Sequence, residues 1–123
     1  MIGNILAVGA GGFLGSVLRY LFGQLSKFIA PGLMFPVGTF LVNILGAFFI
    51  GIAFEFFSKQ GLMGSTMQLF IMVGIMGGFT TFSSFSLETV NLISSGRLGL
   101  AFIYAAGSVF ICLVGVWLGK TII

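Results

Sequence analysis

Histidine is absent from this chain, Cys112 is its only cysteine, and Glu55 and Glu88 are its only acidic residues. Each shortage removes a class of function. Without an imidazole there is no base for Ser–His–Asp or Cys–His catalysis. One thiol and no histidine cannot form an intrachain disulfide or a Cys/His zinc cluster. Two carboxylates are poor equipment for a metal hydrolase or a glycosidase. Charge of either sign is scarce: 6% of the 123 residues are charged and 59% are hydrophobic, with a mean hydropathy of +1.26. Soluble domains carry about 25% charged residues. A water-soluble enzyme, a nucleic-acid binder and a disordered tail are therefore all excluded.

What is present is long apolar sequence. The seven charges are Arg19, Lys27, Glu55, Lys59, Glu88, Arg97 and Lys120. Between them, residues 1–18, 28–54, 60–87 and 98–119 are free of charge, giving runs of 18, 27, 28 and 22 residues. A helix needs about 20 mostly apolar residues to cross a bilayer. The sequence thus predicts an all-α integral membrane protein, one domain over 1–123, with four transmembrane helices at about 4–24, 37–57, 67–94 and 98–119. No basic n-region or A-x-A site marks a cleavable signal peptide, so the first span is expected to stay as a transmembrane helix.

The first span is rich in small residues, and Gly11 and Gly15 make a G-x-x-x-G spacing that lets helices approach closely. Pro31 and Pro36 suit the first loop. Glu55 and Lys59 close the second span as an i,i+4 pair. The third span starts as an ordinary apolar helix from Met67 to Ile75. It then meets Gly77, Gly78, Thr80 and Thr81, poor residues for a helix interior. A break is predicted at 77–81. Broken backbone at membrane depth is tolerated only where it is buried in protein or lines a polar cavity. The fourth span carries Tyr104, Ser108 and Cys112 at a spacing of four, and ends at Trp117 and Lys120, an interfacial anchor.

Four crossings put both termini and the second loop on one side, with Lys59 and Lys120. Lys27 and Arg97 lie on the other, with Arg19 near it. Orientation follows Lys/Arg bias, and here that bias is zero or one charge. This permits insertion in both orientations and an antiparallel homodimer; equally, a single charge of bias can fix one orientation.

Phe79, Phe82 and Phe85 recur every three residues, so they share a helix side. Thr80, Thr81, Ser83, Ser84 and Ser86 lie among them. The positive edge of an aromatic ring favours an anion without a full charge, and hydroxyls supply donors. The alternative is a packing face with hydroxyls bonded to their own helix. Asn43 either lines a polar path with Thr39 or makes an interhelical hydrogen bond. Arg19 either draws anions to an entrance or snorkels to headgroups. Glu88 either gates, pairs with a cation or is solvated. Tyr104 and Ser108 form a polar stripe or pack. Carbonyls released near Gly77 and Thr80, brought together with those of a second, antiparallel copy, suit a small hard cation such as Na⁺.

The run Gly74-x-x-Gly77-Gly78-x-Thr80-Thr81-Phe82-Ser83-x-Phe85-Ser86-x-Glu88 resembles the signature of the Fluc, or CrcB, fluoride channels. Gly11-Gly12-x-x-Gly15-x-x-x-Arg19-Tyr20 and Gly38-Thr39-x-x-x-Asn43-x-x-Gly46 resemble that family's first- and second-helix motifs. The likeness covers the whole chain, and its third-helix run is the most specific part. It implies a passive fluoride-selective channel in the cell (inner) membrane that lets cytoplasmic fluoride out. It implies an antiparallel, dual-topology homodimer with two pores. Phe82 and Phe85 would face the permeating ion, beside Asn43, Thr39 and Ser83, with Tyr104 and Ser108 on a polar track. Cys112 stands where that track would carry a hydroxyl. Arg19 and Glu88 would lie towards the vestibules, and the Gly77 and Thr80 carbonyls would hold a central structural Na⁺. The partners implied are fluoride, a second copy and the lipid bilayer, with no nucleic acid and no catalytic residues.

Two other classes compete. A small proton-coupled multidrug exporter also has four spans, but it needs a carboxylate in the first, where residues 1–18 have none. A membrane assembly protein would leave the break and its phenylalanines without a purpose.

Overall fold

The computed structural model describes residues 1–123 and is all-helical. Helix α1 spans Ile2–Ile29, α2 Val37–Lys59, α3 residues 66–79, α4 Phe82–Ser94 and α5 Leu98–Thr121. Helices α3 and α4 form one interrupted crossing over Thr66–Ser94, so four helical segments are long and apolar enough to span a bilayer. The chain is a multi-pass membrane protein. Only 17 of its 123 residues are buried, so most of its apolar side chains are left to face lipid or another protein surface.

The helices pair through glycine. Helix α1 packs along α3, and α2 along α5. At the first contact a Cβ on Gly74 would sit 2.9 Å from the Gly11 Cα, and one on Gly78 would lie 2.6 Å from the Gly12 carbonyl oxygen. At the second, a Cβ on Gly119 would lie 3.0 Å from the Ile52 nitrogen and one on Gly51 3.1 Å from the Lys120 nitrogen. Backbones this close leave room for hydrogen alone. Without a hydrophobic driving force between helices in lipid, such close packing is a main source of association. The Gly11–Gly15 spacing thus finds its partner on α3.

The third crossing is interrupted as expected, with one departure in its first half and a narrower break than 77–81. First, Leu69–Met76 is a π-helix rather than an α-helix. Wide turns of this kind recur at functional sites. Second, the interruption lies at Thr80 and Thr81, because Gly77–Phe79 remain helical. Thr80 has φ −87° and ψ 159°, and Thr81 has φ −152° and ψ 113°, both extended. Gly78 therefore serves close packing against α1 and Gly77 stays open on its outer side, while the two threonines take the turn out of the helix. Threonine is suited to this, since its stiff β-branched chain prefers extended backbone.

Helix α4 then begins with a side-chain cap. The Thr81 Oγ1 accepts from the Ser84 N–H at 3.2 Å, satisfying one of the donors that a helix start leaves free. After α4 the chain turns at Ser95–Arg97, where Gly96 adopts φ 80°, a conformation that glycine takes without strain. At the opposite end, Glu55 and Lys59 pair at 3.7 Å, and the Lys120 ammonium lies 4.7 Å from the centre of the Phe54 ring.

Candidate functional site

Three helices supply the groups that hold the interruption open. From α2, Asn43 Oδ1 accepts from the Thr81 N–H at 2.8 Å, and Asn43 Nδ2 donates to the Thr81 carbonyl at 3.1 Å. From α1, Arg19 Nε donates to the Gly78 carbonyl at 3.0 Å. Within α3, the Thr80 N–H and hydroxyl both reach the Met76 carbonyl, at 3.0 and 2.9 Å. The Thr80 N–H keeps its ordinary helical partner, whereas Asn43 and Arg19 stand in for partners that a continuous helix would have supplied. The Thr81 N–H would have served Gly77, and it serves Asn43 instead. The Phe82 N–H would have served Gly78, and Arg19 takes its place. The Ser84 N–H would have served Thr80, and it caps α4 on Thr81. The Gly77 and Thr80 carbonyls therefore lose their helical donors.

Beside the interruption lies a cavity of about 400 Å³. Asn43, Thr80, Phe82, Phe85, Ser108 and Cys112 all line it. It contains no charged side chain. The Phe82 and Phe85 rings are 5.5 Å apart and tilted by 45°, with Phe82 77% exposed. The Ser108 hydroxyl is buried and has no hydrogen-bond partner. A second cavity, of about 320 Å³, lies on the other flank and is lined by Arg19, Lys27, Thr39, Thr81 and Ser84. Thr81 borders both spaces.

Glu88 anchors a separate polar cluster. Its Oε2 accepts from the Thr39 hydroxyl at 3.0 Å and its Oε1 from the Tyr104 hydroxyl at 3.1 Å. Tyr104 is fully buried and its ring lies 5.2 Å from both Phe35 and Phe85. Phe85 thus joins the cavity to the Glu88 cluster.

The sequence-derived residues fall into these three groups. Asn43, Phe82, Phe85 and Ser108 share the cavity, with the Gly77 and Thr80 backbone at its edge. Thr39 does not stand with Asn43; it turns to Glu88. Glu88 forms no ion pair and instead receives two hydroxyls. Arg19 commits its Nε to the Gly78 carbonyl and also lines the second cavity. Ser83 is exposed, with its oxygen 3.3 Å from the Thr81 hydroxyl. The Thr81 cap on the Ser84 N–H has a sequence signal in a hydroxyl residue standing just before a helix start. The packing of Phe35 and Phe40 around Tyr104 had no sequence signal.

A family model described as "CrcB-like protein, Camphor Resistance (CrcB)" matches residues 6–120. The chain belongs to the CrcB family. A protein of Novosphingobium aromaticivorans called "Fluoride-specific ion channel FluC" is 45% identical over 116 residues, covering 94% of this chain and 91% of its own. A protein of the same name from Opitutus terrae is 47% identical over 118 residues, 93% and 87% of the two chains. "Fluoride-specific ion channel FluC 3" of Methanosarcina barkeri is 40% identical over 121 residues, 97% and 89%. The CrcB membership agrees with four spans and with a multi-pass protein of the cell membrane.

Proposed function

We propose that this CrcB-family chain is a passive, fluoride-selective channel and not an enzyme. The observation that carries this reading is the uncharged cavity at the interrupted helix. A small anion that sheds water there meets donors and aromatic rings instead of a fixed cation that would trap it. Asn43 and the Ser108 hydroxyl supply polarity, and Phe82 and Phe85 offer ring edges. Conduction needs binding strong enough to enter and weak enough to leave. The names of the relatives point to the same ion.

The working unit is an antiparallel homodimer with two pores. Phe82, at 77% exposure beside a cavity open on that flank, wants a second protein surface. Arg19 is held within the protein, which leaves Lys59 and Lys120 on one side and Lys27 and Arg97 on the other. That two-against-two balance favours neither orientation. A structural Na⁺ sits between the copies. Carbonyl oxygens of Gly77 and Thr80 that have lost their helical donors are a hard-cation ligand set. Gly77 is exposed and open on its outer side, where the second copy would meet it. Arg19 and Lys27 line the vestibule, and Glu88 with Thr39, Tyr104 and Ser83 continues the polar path.

The deciding measurement is anion efflux from liposomes holding the pure protein, fluoride against chloride, with a proton-coupled dye assay in parallel. Fluoride efflux without chloride efflux or dye movement is expected. Proton-coupled dye transport would favour the multidrug-exporter reading, although neither glutamate suits it. Glu55 pairs with Lys59 at a helix end, and Glu88 is held by two hydroxyls.

A further inference from the structure

We propose that the cavity between α3 and α5 is also a site for a soft monovalent cation of the silver(I) or copper(I) class. The ligands are the Cys112 thiolate and the Met76 and Met72 thioethers, and occupancy closes the anion path. The closure rests on the channel reading above; the binding does not.

Two stripes of side chains face this space. Met72 and Met76 are four residues apart on α3, and Ser108 and Cys112 are four apart on α5. A separation of four keeps two residues on one side of an α-helix. It does so nearly as well in the wider π-helical turn that holds Met72 and Met76. All four residues line the same cavity. The space is therefore lined by three sulfur-bearing side chains from two helices.

The chemistry of the lining selects the ligand. No carboxylate, imidazole or charged side chain borders the cavity, and nowhere in the chain do three His, Cys, Asp or Glu residues cluster. Hard and borderline divalent cations find no charged oxygen or nitrogen ligands there. Thiolate and thioether ligands select soft ions such as Cu(I). The Ser108 hydroxyl is an independent sign that something polar belongs here. Ser108 is 5% exposed and its oxygen has no partner, an expense that a purely lipid-filled groove would not require. A bound cation carrying a water or an anion would give that hydroxyl an acceptor. Met72 is already touched by the Gln68 amide at 3.4 Å, so Met76 is the freer thioether. Binding is simple exchange: the Cys112 S–H bond breaks, an S–metal bond forms, and the proton passes to water. Nothing is oxidised or reduced.

The test uses the whole protein in liposomes in a chloride-free nitrate buffer. Silver nitrate is added, and two quantities are read. One is fluoride efflux, taken as a ratio with and without silver for each variant. The other is the rate at which a maleimide labels the protein, a signal that belongs to its only cysteine. Any thiol binds silver, so the decisive variant is M72L/M76L, a volume-conserving change. Silver is expected to block efflux and protect the thiol in the native chain, and C112S should lose the block. The Met72→Leu, Met76→Leu pair should need about tenfold more silver for both effects, equivalent to about 1.4 kcal/mol. An unchanged silver requirement in that pair, or an equal block of C112S, would overturn the site. Thiol protection without any block of efflux would overturn the closure alone. If untreated liposomes release no fluoride, the channel reading falls, and the labelling arm still decides the silver site.

Discussion

The Asn43 carboxamide and the peptide groups of Thr81 are joined in both directions, at 2.8 and 3.1 Å. The side chain acts as a substitute peptide bond, giving the broken strand of backbone the partners that a helix would have given. Each orphaned group costs about 1–3 kcal/mol when buried. Asn43→Leu should therefore lower the stability of the protein by a few kcal/mol, read as a drop in melting temperature in detergent, and should abolish efflux. Asn43→Asp keeps an acceptor for the Thr81 N–H and should lose less stability. Equal melting temperatures for native and Asn43→Leu protein would mean that the break does not depend on this pair.

Phe82 and Phe85 should separate stability from permeation. Phe82 is mostly exposed, whereas Phe85 packs on Tyr104. Replacing either by Ile removes the ring edge and should cut fluoride efflux by at least about tenfold, or about 1.4 kcal/mol of barrier. Phe85→Ile should cost more stability than Phe82→Ile, since it loses the contact with buried Tyr104 as well as the Phe82–Phe85 pair, each worth about 0.5–1.5 kcal/mol beyond its buried area. Normal efflux in both variants would remove the aromatic-edge argument.

Gly15 is a steric test of the α1–α3 contact. A Cβ there would lie 2.8 Å from the Phe79 nitrogen, against backbone that cannot yield cheaply. Gly15→Ala should destabilise by about 1–3 kcal/mol. Gly99, with open space around it, is the control, and Gly99→Ala should be near neutral or slightly stabilising. Thermal unfolding of the two variants side by side gives the comparison.

Glu88 receives hydroxyls from two helices, so Thr39→Val and Tyr104→Phe should not act independently. Removing the second donor leaves less to lose than removing the first. A double-mutant cycle on efflux or stability should show coupling of about 0.5–3 kcal/mol. Strict additivity would mean that the two hydroxyls do not share the carboxylate in the membrane.

Orientation can be read directly. Single cysteines placed in the 60–65 loop, in a Cys112→Ser background, should be labelled by an impermeant maleimide from both faces of intact cells or inverted vesicles. Labelling from one face only would sink dual topology.

The architecture was legible because lipid imposes a simple rule, and seven charges divide this sequence into four long apolar runs. The interruption of the third crossing was legible too, from glycine and threonine at membrane depth. Its cause was not. Gly77 and Gly78 looked like the breakers, yet a glycine can sit in a helix when another backbone needs its space, as Gly78 does against the Gly12 carbonyl. Nor could composition reveal that Leu69–Met76 would widen into a π-helix. Among the site residues, periodicity placed Phe82 near Phe85, but it could not reach across helices. The Arg19–Gly78 bond joins residues 59 apart, and Thr39 meets Glu88 across 49. Such partners are chosen by packing, which no local spacing records.

The clamps on the interruption also fix an order of events. Chains are made from the N-terminus, so Arg19 and Asn43 leave the ribosome before Gly78 and Thr81 do. The donors and acceptors that the broken backbone will need are already on offer when it enters the bilayer. A rearranged gene that made the third crossing first would expose those peptide groups with nothing to receive them. The position of two side chains in the sequence is thus also a timetable for insertion.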